Sequence, residues 1–139
     1  MRKKIHFLLV FSLFVNLSQG QSKLWTKNSI ENLSALEKME RASTPSIYQV
    51  MRLDFDAFKQ SLIGAPIDTE GNISNTIVSF PDPKGRLSRF RVYESPIMEK
   101  ELADKYPDIK SYIALGIDNP TVKLRFSVTL FGLHAMSLS

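Results

Sequence analysis

Histidine and carboxylate side chains are the groups through which a small chain does acid–base or metal chemistry, and here the only histidines are His6 and His134. A zinc site takes three or four His, Cys, Asp or Glu ligands at short spacings, such as H-E-x-x-H on one helical face. His134 stands instead between Leu133 and Ala135, and a lone histidine in a strand reads as a hydrogen-bonded structural residue. Among the carboxylates that lie close together are Asp54 with Asp56, Glu99 with Glu101 and Asp104 with Asp108. General acid–base work requires two carboxyl groups whose environments push their pKa values apart. Each pair has a plainer use: Asp54 caps a helix, and the others line the solvated side of a helix and its exit. No G-x-S-x-G elbow accompanies a serine, and the glycines form neither a phosphate-binding loop nor a dinucleotide fingerprint. The residues therefore nominate no catalytic, cofactor-binding or metal-binding site, and the chain reads as a non-enzyme.

The N-terminus speaks to compartment. Arg2, Lys3 and Lys4 form a positive segment, Ile5 to Leu17 an apolar one broken only by His6, Ser12 and Asn16, and Ser18-Gln19-Gly20 supplies small residues for a signal peptidase. Cleavage is expected between Gly20 and Gln21, because the apolar run falls short of the ~20 residues a spanning helix needs. The expected destination is periplasmic or extracellular, without stable membrane association after cleavage. With 18 Lys+Arg against 14 Asp+Glu the chain carries +4, but three of those cations lie in the signal, which leaves 15 against 14, or +1. Lys84, Arg86, Arg89 and Arg91 are the densest remaining basic residues, and strand alternation divides them between two faces, so nucleic acid is not the expected partner. The chain has no cysteine, which excludes a disulfide scaffold and thiolate chemistry.

The elements that would position these groups follow from periodicity. Residues 21–45 form a leader, amphipathic helix or flexible arm, in which Trp25, Ile30, Leu33, Leu36 and Met39 approach helical spacing. A compact domain is expected over residues 46–139. Tyr48 to Leu53 reads as a strand, and Phe55 to Ile63 as a helix capped by Asp54 with Phe55, Phe58 and Leu62 on its core face. Thr76 to Phe80 and Arg86 to Tyr93 form a hairpin around Pro81-Asp82-Pro83-Lys84-Gly85. Ser95-Pro96 opens a second helix, Ile97 to Tyr106, with serine as its cap. Ser111 to Ile117, the alternating Val122 to Leu130, and Leu133 to Leu138 complete the strands. The fold class is α+β: a mainly antiparallel sheet with about two short helices on one face.

Three stretches stand out together: R-F-x-V-x-E-S at Arg89 to Ser95, E-L-A-x-K-Y-P-x-I-K-S-Y at Glu101 to Tyr112, and G-I-D-N-P-T at Gly116 to Thr121. With S-I-Y-Q-V-M-R-L-D and L-I-G-A-P nearer the start, they resemble the pro-region of secreted, reprolysin-like zinc metalloproteases of the Bacteroidetes type. The resemblance implies a signal peptide and pro-region ahead of a catalytic domain with the H-E-x-x-H-x-x-G-x-x-H motif. That domain would hold the zinc; this chain, without those ligands, carries no cofactor. On this reading the chain stops at Ser139 within its last strand, and its partner is the cognate protease domain, which it helps to fold and keeps latent.

Latency demands either a ligand for the zinc or a covered cleft. Animal reprolysins and matrix proteases supply a cysteine thiolate, which this chain lacks. Asp82, Asp118 and His134 are chemically conceivable substitutes, although both aspartates sit beside prolines in turns. Steric occlusion through an open sheet edge is the favoured mode. The alternative from a different class is a stand-alone secreted binding or inhibitor domain. N-terminal mass spectrometry of the product from an exporting host should find Gln21 first; a product that keeps Met1 in the membrane fraction would contradict the signal.

Overall fold

The computed structural model describes residues 23–29 and 46–138. The signal segment with its Gly20–Gln21 cleavage site, and Ile30, Leu33, Leu36 and Met39 of the leader, lie outside these residues. In chain order the elements are β1 (Trp25–Lys27), β2 (Met51–Leu53), α1 (Phe55–Ser61), β3 (Ile77–Pro81), β4 (Leu87–Glu94), α2 (Lys100–Lys105), β5 (Lys110–Gly116), β6 (Lys123–Thr129) and β7 (Gly132–Leu138). β3 to β7 form one antiparallel meander in sequence order, and β1 pairs with β2 in a small second sheet. The fold is α+β, as the periodicity predicts.

Alternation sorts the meander into two faces. Val78 and Phe80, Phe90 and Val92, Tyr112 and Ala114, and Leu124, Phe126 and Val128 fall on the same side and are buried. Over this face lies α1, whose Phe58 and Leu62 join the core. Asp54 starts the helix by accepting the Ala57 N–H at 3.0 Å, which satisfies one of the free donors of the first turn. Phe58 is wholly buried and meets Phe80 at 5.6 Å and Phe126 at 5.9 Å between ring centroids, both edge to face. Tyr112 stacks on Phe126 at 4.9 Å. Edge-to-face and offset contacts place the positive ring edge against the negative face, so these rings gain more than their buried area alone.

Two expectations need correction. Trp25 belongs to a strand, not to a helical stripe: it lies opposite Leu53, and its ring packs near Phe58 and Phe80. Its Nε1 donates to the Ser79 carbonyl at 2.7 Å. A large aromatic that finds both core contact and a partner for its N–H outweighs a weak local i, i+3 pattern. The second helix is shorter than expected. Glu99, not Ser95, precedes its first turn and makes no side-chain cap bond; Ser95 instead donates its N–H to the Ser111 carbonyl, lengthening the β4–β5 ladder. No residue of α2 is buried, whereas α1 buries Phe58.

Truncating Phe58 to alanine should therefore lower unfolding stability by about 3–5 kcal/mol, read from urea midpoints. Leu102→Ala in α2 should cost less than about 1 kcal/mol.

Candidate functional site

Where β5 turns into β6, the chain folds back on itself closely enough that a Cβ at Gly116 would sit 2.1 Å from the Asn119 carbonyl oxygen. Only glycine fits there. Asn119 Oδ1 accepts the Thr121 N–H and hydroxyl at 3.2 and 2.9 Å, the side-chain mimic of a turn that asparagine favours. This geometry aims Asp118 at β4. Its carboxylate accepts the Arg89 backbone N–H at 2.7 Å, and the guanidinium Nε and Nη2 at 3.2 and 2.8 Å. Since the Ile117 N–H bonds the Arg89 carbonyl, the aspartate replaces the backbone acceptor that the turning chain withdraws.

Asp82 does the same work in the β3–β4 loop. It accepts the Lys84 and Arg86 backbone N–H groups at 2.8 and 2.9 Å and Arg86 Nε at 2.7 Å. Hydrogen bonds from Arg89 hold the Asp118 carboxyl below its ordinary value of 3.8, and the Arg86 backbone N–H does so first for Asp82. Both turns border a cleft of about 300 Å³ at one end of the sheet, floored by Phe80, Phe90 and Leu124 and rimmed by Asp82, Arg86 and Asn119. His134 is not part of it. It lies exposed on β7, on the opposite face, beside Arg125, Met136 and Ile97. The three candidate latency ligands thus do not share one surface.

Several other charged groups are likewise engaged. Lys59 pairs with Asp56, Lys100 with Asp104, and Lys110 with Glu94. Arg91 donates to the Ser74 carbonyl, and Ser74 is itself fully buried. Burial, with Glu94 close by, pushes the Tyr112 phenol up to about 12, so it stays a neutral core residue. Among the described residues no three His, Cys, Asp or Glu side chains are grouped as metal ligands. The long-range pairs Arg89–Asp118 and Glu94–Lys110 escaped the sequence reading, because nothing local announces a contact across 29 or 16 residues.

No protein-family model, curated protein or solved structure matches the chain.

A carboxyl group whose pKa is lowered on folding stabilises the fold above its unfolded pKa, and that contribution is lost as pH falls through the folded value. The urea midpoint should therefore drop as pH falls from about 5 to about 2, and Asp118→Asn should make the profile shallower. An unchanged acid profile in Asp118→Asn would remove Asp118 from the account.

Proposed function

We propose that this chain is the non-catalytic pro-region of a secreted, reprolysin-like zinc metalloprotease precursor, which assists folding of the protease and holds it latent. One observation supports the reading more than any other. The stretches that carry the resemblance are bound to one another: Arg89 of R-F-x-V-x-E to Asp118 of G-I-D-N-P-T, and Glu94 of the first to Lys110 of P-x-I-K-S-Y. In this proposal the motifs resemble those of the pro-regions because these four residues are joints of a scaffold rather than parts of a reaction.

The zinc belongs, in this proposal, to the protease domain. Asp82 and Asp118 do not fit it: their oxygens are engaged by arginine and backbone N–H groups, so either aspartate would have to abandon its turn to reach a metal. Latency by steric cover asks for no such rupture. A domain that binds the folded protease and not its unfolded chain also stabilises it by mass action, and tethering raises the effective concentration.

Two measurements bear on this. Sequencing the DNA beyond codon 139 should reveal a frame, direct or recovered by one frameshift, that encodes the extended zinc motif. Added in trans at micromolar concentration, the chain should reduce the activity of that protease and raise its refolding yield. A stop codon followed by unrelated DNA would contradict the proposal and favour a stand-alone secreted binding domain.

A further inference from the structure

The two edges of the five-stranded sheet are not alike. On either side of β3, Thr76 accepts the Val92 N–H and Asp82 donates to the Arg86 carbonyl, so by alternation Ile77, Ser79 and Pro81 turn their backbone groups to the outer edge. That edge is closed at two points: Pro81 has no N–H to offer, and the Ser79 carbonyl is taken by the Trp25 indole. Proline and a covering side chain are common ways of stopping a sheet from extending.

Among the described residues β7 has neither device. Gly116 N–H bonds the Val122 carbonyl, so even-numbered residues of β6 serve β5 and odd-numbered ones serve β7. Through the register Ser127 opposite His134 and Arg125 opposite Met136, the even-numbered residues of β7 are used inward. The N–H and C=O groups of Leu133, Ala135 and Ser137 point to the outer edge, where among the described residues no strand pairs with them. The strand runs for seven residues, Gly132–Leu138, without Pro, Asp, Glu, Lys or Arg. Met136 and Leu138 are 57% and 52% exposed on its outer face.

We propose that β7 pairs antiparallel with β7 of a second copy of this chain, making a two-fold dimer with a continuous sheet. The strand is complementary to itself. A two-fold axis through Ala135 sets Ala135 opposite Ala135, and Leu133 opposite Ser137 in both directions. These are the residues with free backbone groups, and each such pair exchanges two N–H···O bonds. The axis residue is small, and no charge meets a like charge. On the outer face His134 of each copy comes against Met136 of the other in the closer, non-hydrogen-bonded pairing, which covers apolar surface on both. A single edge buries less than the ~1,600 Å² of a standard interface, so the association is concentration-dependent. It rests on the sheet edges alone and does not require the protease reading.

Light scattering after size exclusion, on the chain as an exporting host delivers it, is the test. Between about 1 µM and about 500 µM the mass should rise from one chain toward two, as expected of an interface of this size. Amide exchange at Leu133, Ala135 and Ser137 should slow over the same range. Ala135→Pro removes an N–H that the domain does not use internally, and Met136→Lys places a charge at an exposed position; each should give a monomer with a native circular-dichroism spectrum. Ile73→Lys, at a more exposed position ahead of β3, should still dimerise. A chain monomeric at every concentration would overturn the proposal, as would a dimer that survives Met136→Lys or is lost in Ile73→Lys.

Discussion

The bond on which the scaffold turns is the one between Asp118 and Arg89. A β-ladder loses an acceptor wherever one strand bends away from its neighbour, and an unmade bond at that point weakens both the turn and the strand end. Here a carboxylate takes over from the missing carbonyl and clasps the side chain of the same residue, so the last rung is charge-assisted. Gly116 permits the tight return that brings Asp118 into position. Asp82 repeats the device in the neighbouring loop. The two aspartates that invited a chemical reading are thus anchors for the ends of strands.

Behind those anchors the stability resides in rings. Phe58, Phe80, Phe126 and Tyr112 form a chain of edge and stacking contacts between α1 and the middle of the meander. Trp25 adds to it from outside the continuous domain and closes one edge of the sheet as it does so. One residue near the N-terminus therefore links packing with edge protection, while among the described residues no strand pairs with the opposite edge. The proposed dimer would put that asymmetry to use, since surfaces that bind by strand addition need an edge without guards.

Much of this architecture was legible in the residues, and the reasons are local. Val122 to Leu130 alternates cleanly because one face of β6 is buried and the other is not, and Asp54 caps α1 because a short acceptor side chain there meets a free N–H. Trp25 and Ser95 were misplaced where a tertiary partner competed with a local rule: the core claimed the indole, and the β4–β5 ladder claimed the serine N–H. The partnership of Arg89 with Asp118 was invisible for another reason. It depends on register, and register is set by the summed packing of whole strands rather than by any short window. Asp82 and Asp118 stood out by residue type, but their place at the strand ends required the fold.

That Arg89 and Asp118 form a joint is the claim on which both the scaffold and the proposed kinship rest. A double-mutant cycle with Arg89→Met and Asp118→Asn, followed by urea unfolding at neutral pH, tests it directly. The account predicts non-additivity: either single change removes most of what the double change removes. Additive losses from the two changes would show that the residues act independently and would contradict it.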